Sequence, residues 1–181
     1  MKDVRIVKHN LIIAIAVIAC FLLQSTICQF FALAGVVPNL MIITIASFAV
    51  MGGPREGLWI GLFAGFLMDL FYGDYIGVYS LIYMYLGFIC GIFQKWFYPE
   101  DLKMPLLLVG GCDLTYGFIM FAYTWVLRGN HDLAYSLRRI ILPELIYTML
   151  IAVFLYLLYL KISQVILTGP DAKPRKESRN N

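Results

Sequence analysis

Four carboxylates, Glu56, Asp69, Asp113 and Glu144, are set in sequence that is otherwise largely apolar. Paired acids can move protons, and acids grouped with His or Cys can hold a metal. The partners for either chemistry are missing from the pattern. His9 precedes the first apolar run and His131 stands in a polar stretch. Cys20, Cys28, Cys90 and Cys112 fall inside apolar runs without CxxC spacing, and read as small core residues. No HExxH, GxSxG or Walker pattern occurs. The expectation is a protein without catalytic residues, metal or cofactor. The acids then have three readings. They are structural groups partnered by Arg138, Arg139 or a hydroxyl, or they bind a ligand or proton, or they contact another membrane protein. Charge at membrane depth is costly, so each reading gives them protein or water to face. Asp69 lies roughly 21 Å along its helix from Arg55-Glu56, at 1.5 Å per residue. Asp113 falls about halfway along its span and Glu144 near the outer end of its own. Asp69 and Glu144 can therefore share a layer.

The elements that must position these acids are membrane helices. Of 181 residues, 61% are hydrophobic, and the mean hydropathy is +0.81. Soluble domains hold roughly 45–50% apolar residues, so a soluble fold is excluded. The composition predicts an all-α polytopic membrane protein with six spans, at about 11–34, 39–51, 55–72, 76–97, 104–127 and 142–160. They form a membrane domain over 11–162, between a basic N-terminus (1–10) and a basic tail (163–181). The first run resembles a signal peptide with an Ala32-Leu33-Ala34 site. Its length and bulky Phe30 and Phe31 favour a retained span. Its polar patch, Gln24, Ser25, Thr26 and Gln29, suits hydrogen bonding between helices. Span two is short, roughly 18–20 Å, and must lie inside the bundle or meet thinned membrane. Six spans put both ends on one side. With that side cytoplasmic, eleven of the fourteen Lys and Arg lie inside, so the positive-inside rule predicts N-in and C-in. No basic face for nucleic acid is available.

The third span carries Gly57, Gly61, Gly65 and then Asp69 at four-residue intervals. This spacing puts a smooth groove on one helix face, where backbones approach closely. The stripe packs against a neighbour in the same chain or receives a partner's helix. The turn before it, Gly53-Pro54-Arg55-Glu56, suits a helix start with Glu56 in the first turn. Pro38 and Asn39 suit the start of the span before, with Asn39 as cap.

Residues 36 to about 93 resemble the MreD family of rod shape-determining membrane proteins. The resemblance rests on Pro38-Asn39, Gly53-Pro54-Arg55-Glu56-Gly57, Gly61, Gly65, Asp69, Gly73 and Gly77. It implies a bacterial inner-membrane scaffold of the cell-elongation machinery without catalysis. The implied partner is an MreC-like single-span protein. Through it the resemblance implies links to MreB-like filaments, a RodA-like glycosyltransferase and its transpeptidase. It also implies a bundle similar to the S-components of energy-coupling-factor transporters. That similarity supplies a second reading, a subunit binding a vitamin-like molecule through Asp69, Tyr72, Asp74, Tyr75, Tyr79 and Tyr83. A secondary transporter would need an acid relay, and no broken-helix repeat supports one. On the scaffold reading, the glycine stripe holds the partner's helix.

Overall fold

A computed structural model of the chain describes residues 2–27, 37–73, 75–96, 103–128 and 136–167. The described residues form six α-helices and no strand. They are α1 (Lys2–Leu22), α2 (Leu40–Gly52), α3 (Pro54–Tyr72), α4 (Val78–Ile92), α5 (Lys103–Arg128) and α6 (Leu142–Leu167). Single π turns follow α1 (Leu23–Ile27) and precede α6 (Leu137–Ile141), and a 3₁₀ turn (Phe93–Trp96) closes α4. Helix α1 takes in residues 2–10, set apart above as a basic terminal segment, and α6 runs on to Leu167. Cys28, Gln29, Asp74, His131, the Ala32-Leu33-Ala34 motif and the end of the basic tail lie outside the described residues.

Among the described residues, three stretches are long and apolar enough to cross a membrane: Val78–Trp96, Lys103–Val126 and Leu137–Tyr159. Asn10–Thr26 and Leu40–Gly52 are shorter apolar helices. Large side chains such as Ile76, Leu107, Val126, Leu150 and Phe154 stand exposed around the bundle. Water would not tolerate such a surface, whereas lipid matches it. The protein is an all-α polytopic membrane protein.

The short helix α2 is its centre. Every residue from Leu40 to Val50 is buried, and α2 packs against all five other helices. A 13-residue helix spans only about 20 Å, so enclosure by longer helices takes the place of lipid contact. Its hydroxyls are satisfied locally. Ser47 donates to the Ile43 carbonyl (2.6 Å), and Thr44 donates to that of Leu40 (2.7 Å). The start of α2 is pinned from the π turn after α1, where Gln24 Oε1 accepts from Met41 N–H (3.1 Å).

The turn from α2 to α3 uses the Gly-Pro-Arg-Glu-Gly motif for geometry. Gly53 has φ +98°, a conformation that excludes most side chains, and Pro54 follows at the start of α3, where its missing N–H costs nothing. Gly53 N–H still closes the end of α2 on the Ala49 carbonyl (2.8 Å). The Glu56 carboxylate folds back over Gly52, and Gln94 Nε2 donates to the Met51 carbonyl (3.0 Å). Three helices are tied together at this corner.

Candidate functional site

The glycine stripe is filled from within the chain. Helix α4 lies antiparallel on α3, and its backbone occupies the space that side chains would need. A Cβ on Gly57 would strike the Gly87 carbonyl, and one on Gly61 the Tyr83 carbonyl. A Cβ on Gly65 would strike Ser80 Cα. Gly91 meets Pro54 in the same way, its Cβ falling 2.5 Å from Pro54 Cα. Gly57, Gly61 and Gly65 are all buried. The expectation that this stripe receives a partner's helix is therefore corrected, because α4 already sits there at backbone contact.

Asp69 belongs to the same seam. It is 2% exposed, and its carboxylate caps α4. Oδ1 accepts from Tyr79 N–H (2.9 Å), and Oδ2 from Ser80 N–H (2.9 Å) and the Ser80 hydroxyl. Helix starts leave N–H groups without intrahelical partners, and in a membrane no water is at hand to take them. Asp69 supplies that acceptor from the neighbouring helix, since the local cap position, Gly77, has no side chain.

The other two membrane acids come together elsewhere. Helices α5 and α6 pack antiparallel, with Gly110 facing Met149 and Gly117 facing Ile141. That register sets Asp113 opposite the first turns of α6. Asp113 lies against Thr148 and acts electrostatically on Glu144. The Glu144 side chain in turn reaches that of Asn39. Asp69, bonded to Tyr79 and Ser80, serves the α3–α4 seam instead.

Asn39 is the hub of this cluster and only 3% exposed. Its Oδ1 caps α2 by accepting from Ile42 N–H (3.2 Å), and it receives the Tyr83 hydroxyl at 3.4 Å. Its own N–H donates to Thr148 Oγ1 (3.0 Å). The rings of Tyr79, Tyr83 and Tyr116 cluster beside it in tilted and edge-to-face contacts, with centroids 5.5–6.5 Å apart. Pro38 leads into this cap and is itself buried.

One side of the cluster is open. A cavity of about 290 Å³ lies between the second half of α5 and the start of α6. Glu144 and Tyr116 line its polar end, Thr124 and Ser136 its rim, and Met120, Phe121, Ile140 and Ile141 its walls. Part of the wall is the π turn before α6, a rare geometry that recurs at functional sites. Behind the cavity, Asp113 is 4% exposed and its Oδ1 has no hydrogen-bond partner. Sequence reasoning named both acids without pairing them. The signal that joins them is Gly110 with Gly117, one helix face that lets α6 approach.

Among the described residues, no group of three or more His, Cys, Asp or Glu could hold a metal. Cys90 and Cys112 touch (Sγ–Sγ 2.8 Å), and Cys20 contacts the Tyr159 hydroxyl (2.8 Å). All three are buried in the core. Arg55 is exposed at the start of α3, away from the acid cluster.

The sequence profile of one family, described as rod shape-determining protein MreD, matches residues 4–166. The chain belongs to the MreD family. The match takes in all six helices almost completely, where the motif resemblance covered only residues 36 to about 93. Family membership ties the protein to rod-shape determination. No curated protein and no solved structure matches the chain.

Proposed function

We propose that the protein is a non-catalytic scaffold of the bacterial cell-elongation machinery. It resides in the inner membrane with both ends cytoplasmic, and its partner is an MreC-like single-span protein. Through that partner it connects to MreB-like filaments, a RodA-like glycosyltransferase and its transpeptidase. With the glycine stripe filled, the recognition site we propose is the cleft at Glu144. In the N-in orientation it opens on the outer side, where the chain of a single-span partner leaves the membrane for its outer domain.

The observation that carries this reading is the open cleft with the Glu144 carboxyl group in its lining. A partner that brings an N–H, hydroxyl or cationic group into the cleft can hydrogen-bond Glu144, and a hydrogen bond to a charged group is worth about 1.5–3 kcal/mol. Cysteines placed at Ile140 and Thr124 test it by crosslinking in native membranes. Crosslinks to a single-span protein from both positions, and none from a cysteine at Leu150 on the far side of α6, are the expected result. No protein crosslink at either position contradicts the site.

The same cavity suits a second reading, a small molecule held by Glu144, Tyr116 and Thr124 as in a transporter's substrate-binding subunit. A stoichiometric small molecule in protein purified from mild detergent, lost in Glu144→Gln, would favour it over the scaffold.

A further inference from the structure

We infer that the groove between α1 and α3 is a binding site for one anionic phospholipid. The groove has a volume of about 400 Å³. Its floor is apolar and deeply buried, formed by Ile13 (7% exposed), Val17 (0%) and Ile60 (6%). Trp59 (67% exposed) and Phe63 (39%) stand at its edge.

The groove has a polarity gradient along the bundle. Helices α1 and α3 run in the same direction, because Phe21 near the end of α1 packs on Phe71 (5.1 Å between centroids) and Tyr72 (6.2 Å) at the end of α3. Both helices enter the groove with polar residues, Asn10 on α1 and Arg55 on α3, and continue with apolar ones. Val17 and Phe63 lie seven and eight residues further on, or roughly 10–12 Å deeper. A phospholipid has the same order, a charged phosphate at the interface and an acyl chain below it. Tryptophan at such a level is a common interfacial anchor.

Charge selects the headgroup. Glu56 also lines the groove, but its carboxylate is turned back over Gly52 at the α2–α3 corner. Arg55 is exposed and presents a guanidinium whose planar donors match phosphate.

The test is native mass spectrometry of the full-length protein released from nanodiscs of equimolar phosphatidylglycerol and phosphatidylcholine. The parent should retain one phosphatidylglycerol over phosphatidylcholine by about fivefold, equivalent to about 1 kcal/mol for one basic residue at a membrane surface. Arg55→Gln should bring the ratio near one, and Ala14→Trp, which fills the groove, should remove the retained lipid. Lys95→Gln, a basic change outside the groove, should leave the preference intact. Melting temperatures of the variants separate lipid loss from unfolding. Equal retention of the two lipids by the parent would overturn the site. So would a preference that survives both Arg55→Gln and Ala14→Trp, or a protein rather than a lipid crosslinked from Trp59→Cys.

Discussion

Along α3 and α4, glycines and a carboxylate are consumed by the fold, whereas along α5 and α6 a similar set is left open to a cleft. In the first seam both Asp69 oxygens accept backbone N–H groups and the glycines meet backbone at contact distance. In the second, Gly110 and Gly117 meet only side chains, and Asp113 keeps an oxygen without a partner. The two seams differ in what the carboxylate finds rather than in which residues are present. A helix start one turn away turns Asp69 into a cap. Asp113 sits mid-helix, where the backbone N–H groups are already used, and finds only Thr148 and a second acid. Small residues and an acid on one helix face are thus compatible with a closed seam or a recognition site, and the neighbouring helix decides between them.

The largest expected effect comes from opening the closed seam. Gly61→Leu with Gly65→Leu should abolish the folded protein, because the new side chains meet the α4 backbone, which cannot step aside as a side chain can. Monodisperse yield after detergent extraction reads this out. Recovery at parental yield would mean that α3 and α4 can separate, and the stripe would again be free for a partner.

Asp69→Ala should come next, lowering stability by about 2 kcal/mol through loss of the α4 cap. The drop is measured as a shift in thermal melting in detergent. Asp69→Asn keeps one acceptor and should lose less. An unchanged melting temperature for Asp69→Ala would detach the carboxylate from the seam.

The open seam should respond oppositely. Asp113→Asn with Glu144→Gln removes two clustered acids that lie close together in the bundle, so stability should hold or rise slightly. The smallest effect is a gain. A Cβ on Gly111 would meet nothing within 4 Å, so Gly111→Ala should stabilise by about 0.5–1 kcal/mol through backbone entropy. A loss there, read by the same melting measurement, would show that α5 is bent or crowded in a way its surroundings do not indicate.

Much of the fold was legible in the sequence for a simple reason. Apolar runs of membrane length, Gly-Pro turns and Asn39 ahead of Leu40 are local signals, and membrane helices follow local signals closely. The brevity of Leu40–Gly52 pointed to enclosure or a thinned membrane, since about 20 Å of helix does not cross a bilayer alone, and its burial decides for enclosure. The candidate site was not legible in the same way. Asp113 and Glu144 are joined by the register of α5 on α6, which is set by Gly110 against Met149 of α6 and Gly117 against Ile141 of the π turn before it. Nothing local to either acid announces that pairing. The glycine stripe failed as a docking face for the converse reason. Its spacing fixes that something packs closely there, and only the α3–α4 hairpin reveals that the occupant is the next helix in the chain.

The most direct test of the cleft as recognition site is partner retention by the Asp113→Asn, Glu144→Gln variant, compared with the parent at equal membrane level and equal melting temperature. The single-span partner copurifying from native membranes is quantified against the tagged protein. Loss of charged hydrogen bonds worth about 1.5–3 kcal/mol should cut retention tenfold or more. Retention at the parental level would contradict the account and move the partner's contact to another face of the bundle.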